Sequence, residues 1–351
     1  MQYHNIFYIM CCFFLGGDFL ITYDQLLNTY FSDLKTIHIL KLTGNDIKHM
    51  QESFCSDNFI HNSNDESIKL IIESIAKFIL FSAYSKSEIE EIFEEVSNDK
   101  IFKLVEIAYE QRYPNRRKSG AQNGIFSEVL LDLILTLFYN VTDKFSLRHI
   151  YRQKTDKQEI KGYDTLLFFN TETKDKKIVL GQAKMGNLSY CLPEIISDIK
   201  KSIDTLYFSD QIYFYADKLV DGLSDDVKKI LKDINKIGKL NDVESYNCKE
   251  EKIRLRNQKL MDYLETNKIE IIIPCLVCFE NHKIYDDKIT KKDINDYIYN
   301  QIYCKIYNDI RAWLEKEKIN FNFSIFLVIF PFKDLNQIRN EETGVLSYVG
   351  S

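Results

Sequence analysis

Residues 160–185 read IKGYDTLLFFNTETKDKKIVLGQAKM, and the other predicted elements are arranged around this stretch. Two apolar runs rich in aromatic and β-branched residues flank a polar turn at 173–175, which is the pattern of a β-hairpin. The first run contains Asp164, and the second contains Gln182 and Lys184, which are polar residues that a purely structural buried strand would avoid. Because successive side chains of a strand point to opposite faces, we expect Gln182 and Lys184 to share one face.

A carboxylate, an amide and an amine in this arrangement are typical of a metal-dependent hydrolytic site. Hydrolysis of a phosphodiester requires ligands for a divalent cation, which polarises the phosphate and lowers the pKa of a bound water. Lys184 would orient that water or stabilise the developing charge. Glu128, on a predicted helix at 124–139, is a further candidate, although, taken alone, its position favours an exposed residue at the edge of the core. The resulting D…(E/Q)-x-K pattern also occurs by chance in ordinary sheets.

Length and composition describe a compact soluble protein. A chain of 351 residues with 45% hydrophobic and 28% charged residues can bury a large core, either as one domain or as two. The formal net charge of −6 argues against a general polyanion binder. It does not exclude a local basic groove, since a nucleic-acid site requires only a patch of positive charge.

One local basic patch stands out at residues 112–120. Pro, Asn and Gly interrupt the helical pattern there, and four basic residues surround one tyrosine. Such a loop could hold phosphates, although a solvated linker often has the same composition. We include one further arginine, from a predicted strand at 147–152. The predicted nucleic-acid contacts are Arg112, Arg116, Arg117, Lys118 and Arg152.

The cysteines favour a reducing compartment. None of the eight shows the spacing of a disulfide framework. Cys275 and Cys278 form a C-x-x-C pair inside an apolar strand, where they would face opposite sides, so core packing is favoured over metal binding. The apolar run at 6–14 lacks a basic flank and is too short to span a bilayer. We therefore expect a soluble cytoplasmic protein that does not associate with membranes.

Hydrophobic periodicity predicts the other elements. Helices are predicted at 65–80, 87–96, 100–111, 124–139, 192–207, 217–239 and 291–318, the second opening on a capping box at 87–90. Strands are predicted at 147–152, 269–279 and 321–330, with a loop at 241–257 and with Pro331 ending the last strand. The domain division is predicted at 1–111, mainly helical, and 112–351, although both parts could form one continuous domain.

Several of these motifs together resemble known nucleases. Glu128 on a helix, Asp164 after a Gly-Tyr pair, and the segment 181–184 (GQAK) resemble the PD-(D/E)xK nuclease superfamily. The wider pattern is similar to the DUF1837 family, which includes the HamA nuclease subunit of Hachiman antiphage defence and the AbpA protein. This pattern comprises residues 124–131 (GIFSEVLL), 151–152 (YR), 161–164 (KGYD), 181–184 and 330–334 (FPFKD). The resemblance covers most of the chain, most clearly 120–207.

The resemblance implies a fold, a reaction and partners. The implied fold is α/β, a PD-(D/E)xK-like mixed sheet flanked by helices, with a mainly helical N-terminal region. The implied activity is a deoxyribonuclease that works with a superfamily 2 helicase of the HamB type and acts when phage replication yields aberrant or damaged DNA. Glu128, Asp164 and Gln182 would bind Mg²⁺ or Mn²⁺, and Lys184 would be the catalytic lysine. Where the family pattern usually has Glu, this chain has Gln182, whose amide oxygen can coordinate a cation but carries no charge.

Two alternatives remain open. In the first, Gln182 marks the loss of metal binding, and the protein is a catalytically silent adaptor that binds and regulates a helicase. In the second, the protein is a restriction-type endonuclease that cleaves DNA on its own at specific sequences.

Overall fold

The computed structural model describes most of the chain between residues 21 and 349. The described ranges are 21–36, 39–43, 47–48, 52–61, 64–113, 122–139, 165–170, 176–217, 224–240, 249–317 and 323–349. The predicted strand at 147–152 and the apolar run at 6–14 lie outside them.

A seven-stranded mixed sheet forms the centre of the protein. The strands are β1 (Ile39–Thr43), β2 (Ile47–Lys48), β3 (Glu52–His61), β4 (Thr165–Asn170), β5 (Lys176–Gly186), β6 (Ile269–Glu280) and β7 (Phe323–Phe332). Their spatial order is β1-β3-β7-β6-β5-β4, with β2 also paired to β3. Strands β3, β7, β6 and β5 are mutually parallel, whereas β4 is antiparallel to β5. The predicted hairpin and mixed sheet are thus confirmed.

One face of the sheet is covered by the helices that precede the hairpin, which we call the N-layer. These helices are α1 (Tyr23–Thr36), α2 (Asp65–Ala83), α3 (Lys86–Glu95), α4 (Ile101–Arg112) and α5 (Gln122–Phe138). Their apolar side chains form one buried cluster with alternate residues of the central strands, including Val179, Ala183 and Met185 of β5. Burial of these amphipathic faces against a sheet is what stabilises helices that would be marginal in isolation.

The helices that follow the hairpin cover the opposite face and form the C-layer. They are α6 (Leu188–Ile203), α7 (Thr205–Ala216), α8 (Asp225–Leu240), α9 (Lys249–Thr266), α10 (Lys291–Ile298) and α11 (Cys304–Glu317), the last two joined by a π-helical turn. They pack on the other alternate residues of the strands, including Ile178 and Leu180 of β5. After β7 the short helix α12 (Asn336–Arg339) returns to the N-layer through Ile338. Within the described ranges no helix combines the length and hydropathy needed to cross a membrane.

The N-terminal region contributes three strands, β1, β2 and β3. β3 lies parallel to β7, so residues before and after position 112 share one sheet. β3 was missed because Ser56, Asp57, Asn58 and His61 are polar yet buried, which removes the alternation that identifies a strand. The Asn58 amide donates to Asn295 Oδ1 at 3.0 Å, a partner supplied by α10.

Several predicted boundaries in the C-layer are wrong. The helix predicted at 192–207 is divided at Asp204 between α6 and α7, and the helix predicted at 217–239 begins at Asp225. Helix α6 begins at Leu188 instead of residue 192, because burial of Cys191 in its first turn offsets the hydrogen bond that Pro193 cannot make. Residues 249–257, predicted to be loop, belong to α9, whose buried Leu260 and Leu264 lie beyond the polar window that prompted the prediction.

Pro331 does not end β7, which continues to Phe332. The ladder between β3 and β7 stops at Ile329, so the missing N–H of Pro331 faces no β3 partner among the described residues. Its carbonyl is used instead, as an acceptor for the Tyr285 hydroxyl at 2.5 Å.

The capping box of α3 is formed by Ser85 and Glu88, two residues earlier than predicted. The Ser85 hydroxyl accepts from the Glu88 N–H, and Glu88 Oε2 accepts from the Ser85 N–H at 2.8 Å.

We expect Ser85→Ala to lower the free energy of unfolding by about 1 kcal/mol, since the cap is lost. Urea denaturation measures this. Ser189→Ala, at an exposed serine of α6, is the control, because the Ser87 hydroxyl itself lies 3.3 Å from that of Ser85. An equal loss in both variants would show that the cap contributes nothing specific.

Candidate active site on strand β5

Gln182 and Lys184 share one face of β5, as predicted. This face meets the C-layer. Both side chains reach helix α6: Lys184 Nζ lies 2.5 Å from Asp198 Oδ2, and Gln182 Nε2 donates to Ser202 Oγ at 3.4 Å. The two contacts can form side by side because two residues along a strand and four residues along a helix both cover about 6 Å. β5 and α6 are therefore joined by two polar contacts that form a short ladder inside an otherwise apolar interface.

The Lys184–Asp198 ion pair is largely withdrawn from solvent. The two side chains are only 19% and 24% exposed. At this partial exposure each charge is more favourable beside its partner than alone. Asp198 thus fixes the position of the Lys184 amine.

Asp198 and Ser202 were not predicted as site residues. They are four residues apart, on the same face of α6 as the buried Ile195 and Ile199. In the sequence, the only indication of their role is that a carboxylate and a hydroxyl interrupt the apolar face of this helix.

A break in the sheet lies next to Gln182. β5 and β6 pair at Val179 with Ile272 and again at Gln182 with Cys275, and the ladder skips the residues between. Pro274 falls in this gap and has no N–H to donate. On its other side, β4 begins with Thr165 opposite Gly181. Gln182, only 5% exposed, therefore lies where the regular ladder is interrupted.

Glu128 lies in the opposite layer. Its helix α5 packs in the N-layer cluster with Val179, Ala183 and Met185, the β5 residues that face away from Gln182 and Lys184. Glu128 is partly exposed, and its Oε1 lies 4.0 Å from the position that a Cβ on Gly124 would take. The carboxylate therefore points back along the first turn of α5. The structure brings Gln182 and Lys184 together and does not place Glu128 beside them.

The described residues alone do not form a magnesium site. Within the described ranges, no three His, Cys, Asp or Glu side chains converge as metal ligands. Glu128 and Gln182 extend from opposite layers, and Asp198 is paired with Lys184. The remaining predicted ligand, Asp164, lies outside the described residues.

The structure assigns Arg112 to the core of the N-layer instead of an exposed basic loop. Its side chain is only 5% exposed, its Nη2 lies 3.3 Å from Glu88 Oε1, and its guanidinium lies over the Tyr84 ring at 4.8 Å. Arg112 therefore joins the end of α4 to the capping box of α3 and is not presented to a phosphate. Arg116, Arg117, Lys118 and Arg152 lie outside the described residues.

Cys275 and Cys278 contact opposite clusters of the core, as predicted for residues three apart on a strand. Both are free thiols and both are buried. Burial raises the pKa of the Cys278 thiol well above its usual value, so it stays protonated and is a poor metal ligand.

Comparison with known proteins gives one informative result. No curated protein and no solved structure matches the chain. The sequence model of the HamA family, in contrast, matches residues 28–343 and so includes nearly every element described above, from α1 through the sheet and both helical layers to α12. The chain therefore belongs to the HamA family and is a component of Hachiman antiphage defence.

Proposed function

We propose that this chain is a metal-dependent deoxyribonuclease, the effector subunit of a helicase-coupled defence system. The observation that supports it is the lysine on β5: in a HamA family member, Lys184 projects from the hairpin next to Gln182, and Asp198 holds its ammonium at 2.5 Å. A lysine fixed in this way keeps its charge and its position. It is thus suited to stabilise negative charge that develops on a phosphate during cleavage.

The proposed ligands for Mg²⁺ or Mn²⁺ are Asp164 and Gln182. Glu128, the third ligand that the resemblance implies, is left out because its helix covers the opposite face of β5. The bound cation would polarise the scissile phosphate and acidify a water molecule. Gln182 can contribute its Oε1 oxygen while its Nε2 donates to Ser202. The Asp164 carboxylate must then supply the negative charge. The Asp198 side chain orients Lys184 and is not proposed as a ligand.

The test is degradation of labelled DNA by the purified chain together with its helicase partner and ATP. We expect degradation in Mg²⁺ and none in EDTA, because the proposed reaction depends on a cation to polarise the phosphate and to acidify the water. The chain without helicase should be much less active. Discrete fragments produced by the isolated chain would instead support a sequence-specific endonuclease, and no degradation under any condition would contradict the proposal.

One observation favours the silent adaptor as a second candidate. Both polar contacts between β5 and α6 also serve a structural purpose, because each of the four side chains has its partner inside the interface. A protein that had lost catalysis could retain this ladder for stability. An adaptor would bind the helicase and change its ATPase activity while leaving DNA intact, with or without Lys184.

A further inference from the structure

An exposed tyrosine lies at the end of β5, next to the candidate site. Tyr190, in the first turn of α6, is 53% exposed, more than any other large apolar side chain in the described ranges. Its ring lies against the backbone of Gly186, since a Cβ on that glycine would be only 3.2 Å from Tyr190 Cδ1. Gly186 shares the strand face of Lys184. The exposed ring is thus held in place two strand residues beyond the lysine.

An arginine reaches the same end of the strand from the other layer. Arg339 on α12 donates from Nη2 to the Met185 carbonyl at 3.4 Å. Its Nε is buried without a hydrogen-bond partner in the described part of the chain. Lys184, Met185 and Gly186 are consecutive. The lysine amine, the guanidinium bound to the Met185 carbonyl and the ring against Gly186 therefore lie at three successive positions of β5. We call Lys184, Tyr190 and Arg339 the β5 corner.

The Cys191 thiol is subject to the positive charge of both cations. Burial raises the pKa of the Cys191 thiol to about 11, while the positive charges of Arg339 and Lys184 act in the opposite direction. Cys191 follows Tyr190 directly on α6. The guanidinium and the amine therefore both lie near the first turn of this helix.

The chemistry of the corner fits an unpaired nucleotide. Proteins that bind single-stranded DNA combine cationic groups for the backbone with aromatic rings on which bases stack. A base within a duplex cannot stack on such a ring, because both of its faces are already covered by its neighbours. Asp198 neutralises Lys184, and the exposed Glu194 lies one turn beyond Tyr190. Net positive charge at the corner is therefore small, so stacking must supply most of the contact.

We infer that Tyr190 and Arg339 hold a single-stranded segment of DNA at the β5 corner, with a base on the Tyr190 ring and a phosphate near the Arg339 guanidinium. This inference rests on the proposed function and specifies its substrate: DNA that a helicase has already unwound. It also gives a reason for coupling to a helicase, since the nuclease would engage only strands that the helicase exposes.

The test measures binding without cleavage. Anisotropy of a fluorescent single-stranded oligonucleotide is followed with the full-length chain in EDTA, with the matching duplex in parallel. Tyr190→Ala should raise the Kd for the single strand about tenfold, and Tyr190→Trp should keep it within about twofold, since any aromatic face can stack. Duplex binding should not change. Tyr299→Ala, which removes another exposed tyrosine on the π-helical turn, is the matched control.

Arg339→Gln gives a second readout. Loss of one phosphate contact should flatten the dependence of log Kd on log salt by about 0.7 for a single strand. Urea denaturation of each variant shows that it is folded. Tyr190→Trp keeps the proposal testable even where Tyr190→Ala does not fold, because failure of a folded Trp variant to bind the single strand would contradict stacking.

Three results would overturn the inference: no binding of the single strand by the wild-type chain, unchanged binding by folded Tyr190→Ala, or equal losses for single strand and duplex. The proposed nuclease can fail separately. If the single strand binds as expected but no DNA is degraded with helicase, ATP and Mg²⁺, the nuclease proposal is contradicted while the binding site stands.

Discussion

Lys184→Met should lower Mg²⁺-dependent DNA degradation by about a hundredfold or more, the order of effect found when one electrostatic group aimed at developing charge is removed. Methionine keeps most of the length of the lysine side chain but has no charge. The Asp198 carboxylate then has no ammonium partner, but its side chain is 24% exposed and can be rehydrated. The measurement is the initial rate of DNA loss with helicase and ATP.

Lys177→Met is the matched control. Lys177 also lies on β5, its side chain is 21% exposed, and its Nζ is 3.0 Å from Glu270 Oε2, so it is a strand lysine with a carboxylate partner in similar surroundings. It lies at the opposite end of the strand from Lys184. Both substitutions should cost similar stability, of about 1 kcal/mol, for the loss of one partly exposed ion pair. Equal activity in the two variants would remove Lys184 from the mechanism.

The hairpin and the shared face of Gln182 and Lys184 could be predicted because they depend on local pattern alone. A period of two along one strand fixes which side chains are neighbours, whatever the rest of the chain does. The long strands β6 and β7 were recognised for a similar reason, since their continuous apolar runs have no other stable location. β6 pairs with β5, and β7 pairs with both β6 and β3, so the last hundred residues are part of the central sheet.

The partners of these residues could not be predicted in the same way. Asp198 meets Lys184 only because α6 folds back on β5, and the helix pattern gives its apolar side without identifying the strand residues beneath it. Glu128 shows the same limit more sharply. The pattern of α5 predicts a buried helix correctly, but whether it covers the face with Lys184 or the opposite face depends on the path of the whole chain. β3 was not predicted because several of its buried residues are polar. The first half of α9 was not predicted as helix because it is charged.

Gln182→Glu should lower stability in EDTA and raise the affinity for Mg²⁺, and this variant separates the nuclease from the adaptor. Position 182 is 5% exposed, and its present amide donates to Ser202 Oγ. A carboxylate there loses that donor and is buried beside a lysine that Asp198 already neutralises. The expected loss is about 2 kcal/mol, the scale for burying a polar group without full compensation.

Mg²⁺ should reverse that loss if Asp164 and position 182 do share a cation. A ligand that binds only the folded state stabilises it in proportion to the logarithm of its concentration over Kd, so saturating Mg²⁺ at a hundred times Kd would return about 2.7 kcal/mol. The Mg²⁺ concentration for half-maximal degradation should fall, because the new ligand carries a charge that the amide lacks. Thermal unfolding across a Mg²⁺ titration measures the first effect. Gln182→Met is the control, since it loses the same hydrogen bond without gaining a ligand, and its unfolding temperature should respond to Mg²⁺ less than that of Gln182→Glu. If the two variants respond equally, position 182 does not contact a cation, and the polar ladder between β5 and α6 is structural, as in the adaptor.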